Sequence, residues 1–232
     1  MSGILHFVPK NYTTHTICHF FIKDLCYTKL VYKKGMENVF EKSSLSIAKW
    51  LEKNRIIEQD KLVVVKWGIR NILDTAFNIF IFLIIGVTMR MTLETIVFTL
   101  GYIPLRSFVG GYHAKTPVRC CVLSNIILFT ALLLVHCIGK HPLLLFALAI
   151  VGIIILVVLA PVSDIHKPLD ENDRNKYRVK GFVILLCEII ISIVFLILDK
   201  HNLTLSVFST WILLSLMLIL GKIKNFKYKK AL

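Results

Sequence analysis

Acidic residues are scarce in this 232-residue chain: 14 Asp and Glu stand against 28 Lys and Arg, a formal charge of +14. Such an excess is one mark of nucleic-acid binding. Here, however, the basic residues flank apolar blocks instead of forming a soluble patch, which excludes that class and points to anionic lipid headgroups. The six cysteines (18, 26, 120, 121, 137 and 187) include no CxxC pair. Adjacent Cys120 and Cys121 are poorly placed for a disulfide, so a disulfide framework is the weaker reading. An HExxH run, the mark of a zinc peptidase, is absent, as are a signal-peptide cleavage pattern and the internal repeat expected of many transporters. What is abundant is apolar sequence. Hydrophobic residues make up 56% of the chain and mean hydropathy is +0.72, above the soluble norm of about 45–50% apolar. They fall in long blocks, as in bilayer spans.

Residues 1–35 show no sustained period. His6, His15, Cys18 and His19 match no standard metal-ligand spacing. Met36 offers a second start, and 1–35 is expected to be a dispensable extension. Residues 36–60 read as an amphipathic segment: Phe40, Ile47, Ala48, Trp50 and Leu51 recur near helical spacing among Glu41, Lys42, Lys49, Glu52 and Lys53. Such a helix is too polar to span. It lies in the headgroup plane or packs on its own protein.

Residues 61–221 carry the spans, and 222–232 form a basic tail. The predicted spans are Ile72–Thr88, with Val63–Trp67 as an inner extension, then Thr92–Leu105, Cys120–Ile138, Leu143–Val162, Gly181–Leu198 and Leu203–Gly221. Each is near the roughly 20 residues a bilayer helix needs, except the shorter Thr92–Leu105. The fold class is therefore an all-α polytopic membrane protein of about six transmembrane helices with an N-terminal amphipathic helix. Four spans plus re-entrant segments, one of them 92–105, is the alternative. Charge supports six. Connections 106–119, 163–180 and 222–232 hold three, five and five Lys and Arg, whereas Arg90, Lys140 and Lys200 stand one to each opposite connection. The positive-inside rule then puts both termini and the 106–119 loop in the cytoplasm of a multi-pass cell-membrane protein. The loop 163–174, with mixed charge, is a solvated surface or a landing site for a charged partner.

The 106–119 loop collects what the spans lack: Arg106, Gly110, Gly111, His113, Lys115, Pro117 and Arg119, followed by Cys120 and Cys121. A thiolate attacks a carbonyl where a thiol hardly does, and nearby cations and an imidazole favour it. On an unbroken helix residues seven apart lie about 10 Å apart along the axis. Gly110-Gly111 and Pro117 argue against an unbroken helix. A turn at Thr116-Pro117 would fold His113 back over Cys120, and a span starting near Val118 would add its dipole. The glycines would let backbone N–H groups approach an oxyanion. Spacing alone leaves other readings open: Cys120 as a small apolar residue, His113 as a surface group, or metal binding by His113, Cys120 and Cys121, which lacks a fourth ligand. Asp74 and Glu94 lie within spans, where ionisable groups face protein or water. Either could orient His113.

The run Leu105-Arg106-Ser107-Phe108-Val109-Gly110-Gly111-Tyr112-His113-Ala114-Lys115, with Cys120 seven beyond the histidine, resembles the signature of the accessory gene regulator protein B (AgrB) family. Ala160-Pro161 before a polar loop with Pro168, and the opening from Met36, are similar to it too. The resemblance covers about 36–225. It implies a membrane-embedded cysteine endopeptidase, needing no cofactor or metal, that processes a small quorum-sensing propeptide (AgrD-like). His113 and Cys120 would be its catalytic pair and Arg106, Gly110, Gly111 and Lys115 supporting residues. The product would be a cyclic thiolactone or lactone peptide. A homodimer is implied as well. A small transporter and a non-catalytic membrane scaffold are the competing classes. Cys121, about 100° further round a helix, is expected to pack in the span.

Overall fold

The computed structural model describes residues 37–112, 114, 116–139, 141–162 and 170–230. Candidate residues His113 and Lys115, the extension 1–35 with Met36, and most of the loop at 163–169 lie outside the described residues. Among the described residues, seven α-helices follow in chain order: α1 Glu37–Lys53, α2 Leu62–Thr88, α3 Thr92–Val109, α4 Pro117–Leu133, α5 Pro142–Leu159, α6 Glu171–Ile197 and α7 His201–Lys230. A π-helical turn, Leu134–Ile138, extends α4. Among the described residues there is no strand, only an isolated parallel bridge between Gly110 and Val162. The chain is an all-α polytopic protein.

The chain divides into two units, one ending at Asp74 and the other beginning at Thr75. In the first, α1 is a helix as its periodicity predicts, but its apolar residues part company. Ser44 and Ala48 are fully buried, whereas Val39, Ile47 and Trp50 are exposed. Glu41 on α1 is paired with Lys66 and Arg70 on α2, and Arg70 Nε also lies 3.8 Å from Asp74 Oδ2. The hydrogen bond from Lys66, then that from Arg70, holds the Glu41 carboxyl below the usual glutamate range. A depressed carboxyl contributes its stabilisation above the ordinary pKa and loses it as pH falls through the native value. Amide hydrogen exchange within Glu37–Lys53, corrected for the intrinsic pH dependence of exchange, should therefore lose protection on acidification below the ordinary glutamate range. Glu41→Gln should produce the same loss of protection at neutral pH, and equal protection in variant and wild type would refute the clamp.

The second unit is a bundle around α7, which packs against α3, α4, α5 and α6. Its core side chains include Leu205, Trp211, Leu214 and Leu218. The buried face of α7 also carries Ser206, Ser209, Thr210 and Ser215. Their hydroxyls donate to carbonyls three or four residues back in the same helix: Ser206 to Asn202, Ser209 and Thr210 to Ser206, and Ser215 to Ile212. A small hydroxyl satisfied within its own helix lets neighbouring backbones come close, which suits packing where water gives no apolar driving force. Gly152 of α5 uses that space, because a Cβ there would lie 3.0 Å from Trp211 O. The outer helices expose large apolar side chains such as Leu143 (82%) and Ile197 (75%), as lipid-facing surface requires.

Among the described residues, five helices are long and apolar enough to cross a membrane: Gln59–Thr88, Arg119–Cys137, Pro142–Leu159, Glu171–Ile197 and His201–Phe226. Thr92–Val109, the helix that contains the expected Thr92–Leu105 span, is not among them, since Glu94, Arg106 and its threonines dilute its apolar residues. It is nevertheless one continuous helix, with Pro104 inside it and a face of Thr95, Phe98, Thr99, Tyr102, Leu105 and Val109 buried. The first span is also longer than Ile72–Thr88, running unbroken from Leu62.

Candidate active site

The loop between α3 and α4 begins with a glycine strap. At the end of α3 the Gly110 N–H donates to Arg106 O, and Gly110 then adopts φ 79°, ψ −146°. The Ala160–Pro161 peptide is cis. Next to it, Val162 N–H donates to Val109 O at 3.0 Å. Gly111, at φ 127°, continues the strap, and Tyr112 N–H donates to Met217 O on α7 at 3.0 Å. Only glycine fits so close a passage. A Cβ on Gly110 would stand 2.2 Å from Val162 O, and one on Gly221 of α7 would stand 2.8 Å from Gly111 C. The sequence expectation was that these glycines bring N–H groups to an oxyanion. In the structure the N–H groups of Gly110 and Tyr112 are bonded to Arg106 and Met217, and the close approach is to neighbouring backbone.

Arg106 fastens the strap from one side. Its Nη1 donates to Tyr102 Oη at 2.7 Å and its Nη2 to Tyr112 O at 3.0 Å, with the guanidinium over the Tyr102 ring. Lys224 Nζ sits 5.3 Å from the centre of the Tyr112 ring. Tyr112, the residue before His113, is therefore held at its N–H, its carbonyl and its ring.

Beyond the loop Thr116 caps α4. Its backbone is extended, its hydroxyl accepts from Arg119 N–H, and Pro117 opens the helix, where its missing N–H costs nothing. The start lies one residue before the expected Val118. Cys120, half-buried, occupies the first turn, with its N–H bonded to Thr116 O at 3.0 Å. Cys121 is buried, as expected, and Asn125 Nδ2 lies 2.8 Å from its carbonyl oxygen and 3.6 Å from its sulfur. Of the two thiols, only Cys120 retains exposed surface.

The two acidic candidates fall in different units, Asp74 in the first and Glu94 in the second. Asp74 faces Arg70. Glu94 occupies the first turn of α3 and Arg106 its last, about 18 Å apart at 1.5 Å per residue. There Glu94 borders an open cleft of about 310 Å³ with Arg90, Met91, Val135, His136, Gly139 and Asn202.

Sequence reasoning passed over Glu188, an acid in the middle of α6 that is 6% exposed and accepts from Trp211 Nε1 at 2.7 Å. One charge within the apolar run Ile189-Ile190-Ile191 and its neighbours was the available signal. Tyr102 was likewise unmarked. Four residues before Arg106, it shares a helix face with it.

Fold and site together define a multi-pass membrane protein with a half-buried thiol in the first turn of one helix and, in the loop before that helix, a glycine strap seated on the central helix. The family model described as Accessory gene regulator B matches residues 44–221, and the chain belongs to that family. Among curated relatives, Accessory gene regulator protein B of Staphylococcus saprophyticus is 24% identical over 148 residues, covering 64% of this chain and 78% of the relative. Its counterpart in Staphylococcus aureus strain JH9 is 25% identical over 158 residues, covering 68% and 84%. That of Staphylococcus lugdunensis is 23% identical over 146 residues, covering 62% and 77%. No solved structure matches the chain.

Proposed function

We propose that the chain is a membrane cysteine endopeptidase that cleaves a small AgrD-like propeptide and promotes its closure to a cyclic signal. The observation that carries this reading is the half-buried Cys120 on the capped first turn of α4, seven residues after His113 in the loop whose opening strap is anchored at Tyr112, in a member of this family. The Cys120 sulfur attacks the scissile carbonyl while His113 takes the thiol proton. The amide C–N bond breaks, the amine of the C-terminal fragment leaves with that proton, and the N-terminal part stays as a thioester on Cys120. A thiol or hydroxyl within the bound peptide then takes the acyl group, giving a thiolactone or lactone and returning Cys120 to its thiol. Thioester to thioester is nearly isoenergetic, so the ring closes without another energy source where water is kept away. Arg106, Gly110 and Gly111 position the loop, and Lys115 adds positive charge beside it. The site faces the cytoplasm, in keeping with the Lys and Arg of the 106–119, 163–180 and 222–232 segments.

The test is co-expression with the candidate propeptide and mass spectrometry of its products. His113→Ala and Cys120→Ala should abolish both cleaved and cyclised peptide, whereas Cys121→Ala should still form them. Cyclic product from Cys120→Ala would leave the scaffold reading in its place.

A further inference from the structure

The loop at 106–119 joins the end of α3 to the start of α4. At their other ends, the open cleft of about 310 Å³ gathers four polar side chains from four elements. Arg90 comes from the turn between α2 and α3, Glu94 from the first turn of α3, His136 from the π-helical turn after α4, and Asn202 from the first turn of α7. The volume is at the lower end of the range for small-ligand sites. None of these four side chains has a hydrogen-bond or ion-pair partner among the described residues. Arg90 and Glu94 thus border one cleft with opposite charges and do not pair. Arg90 also stands where glycine is the ordinary residue. Met91 N–H donates to Gly86 O at 2.8 Å and Arg90 N–H to Val87 O at 3.1 Å, the two bonds that close a helix through a left-handed residue. Arg90 is that residue, at φ 55°. A side chain there gives up stability that glycine would keep, so the turn itself does not account for the arginine.

We propose that this cleft binds the head group of one membrane phospholipid, its phosphodiester held by Arg90 and Asn202 and a hydroxyl or ammonium of the head group donating to Glu94. A guanidinium suits a phosphate in charge and in geometry, and the N-terminal end of α7 beside Asn202 favours an anion. Glu94 would repel an anion alone, so the ligand must carry a hydrogen-bond donor close to its phosphate. The rim selects a lipid over a soluble ester. Leu93 next to Glu94, Leu143 in the first turn of α5 and Ile197 at the end of α6 are exposed at this end of the unit, where acyl chains would cover them. Charged pockets between membrane helices recognise head groups by this chemistry.

The cleft is separate from the thiol, and the inference does not rest on the role of Cys120. Its test uses the full chain in detergent micelles, titrated with two lipids while native mass spectrometry counts what is retained. Phosphatidylglycerol carries hydroxyls on its head group, whereas phosphatidylmethanol has the same charge and no donor. One molecule of phosphatidylglycerol should be held about tenfold or more tightly than phosphatidylmethanol, as expected for one hydrogen bond to a charged group. Arg90→Gly suits the left-handed turn and so keeps the fold, and it should weaken both lipids about tenfold or more. Glu94→Ala should bring the two lipids to within about twofold of each other. Unchanged retention in Arg90→Gly overturns the site, and equal retention of the two lipids by the wild type overturns the role of Glu94 in it. Displacement of the lipid by an equal concentration of sn-glycerol 3-phosphate would overturn the lipid as the source of the phosphate, leaving a soluble phosphate ester as the ligand.

Discussion

Gly110→Ala should abolish production of the cyclic peptide nearly as completely as Cys120→Ala, although it changes no reacting group. Two independent obstacles meet at this position. The backbone at φ 79°, ψ −146° lies in a region occupied almost only by glycine, which costs other residues of order 1–3 kcal/mol. The added Cβ would also stand 2.2 Å from Val162 O, a backbone atom that cannot rotate away. Relief requires the strap to leave Val162, and with it the Tyr112 bond to Met217 and the hold of Arg106 on Tyr112 O. The residues from His113 onward lose their anchor. Displacement of a reacting group by about 1 Å can cost a hundredfold in rate, so a loss of at least about a hundredfold is expected. Gly68→Ala is the control, because nothing lies within 4 Å of the added methyl and alanine favours a helix. Product quantified by mass spectrometry against membrane protein level checks both. Near-normal output from Gly110→Ala would mean that the strap is not seated where the structure puts it.

The same strap shows where sequence reasoning reached its limit. Thr116-Pro117 could be read as the start of α4 because an N-cap hydroxyl and a proline at N1 act on their immediate neighbours. Hydropathy likewise located the helices, since backbone buried in lipid must satisfy its own hydrogen bonds. Gly110 and Gly111 were recognised as the place where backbone comes close to something. What they approach is set by Val162 and Met217, which lie about fifty and about a hundred residues further on, and no local pattern specifies such partners. Rank among the spans was also hidden. Leu203–Gly221 looked like one hydrophobic stretch among several, because apolar content does not tell a lipid-facing helix from a central one. The Ser206, Ser209, Thr210 and Ser215 series was the informative sign, marking close packing on α7. Tyr102 and Glu188 went unmarked for a related reason: each acquires its meaning from a partner, Arg106 and Trp211, that the fold supplies.

Glu188 gives the largest expected effect on stability. Its Oε2 accepts from Trp211 Nε1, while its Oε1 is buried with no hydrogen-bond partner among the described residues. Gly101 of α3 faces that second oxygen, since a Cβ there would lie 3.4 Å from it. One carboxyl group thus meets three helices, α3, α6 and α7, within the bundle that supports the strap. Glu188→Leu leaves the Trp211 N–H buried and unmatched, and Trp211→Phe leaves the carboxyl without its donor. Each should lower unfolding stability by about 1–3 kcal/mol. The double variant should lose clearly less than the two singles combined, because no orphaned polar group remains. Glu188→Gln keeps an acceptor for Trp211 in the same shape and should stay near wild type. Unfolding of the four variants in one detergent measures the coupling directly. Additive losses would mean that the two side chains stabilise the bundle separately, by packing. A non-additive result would make their hydrogen bond the element that sets α6 against α7.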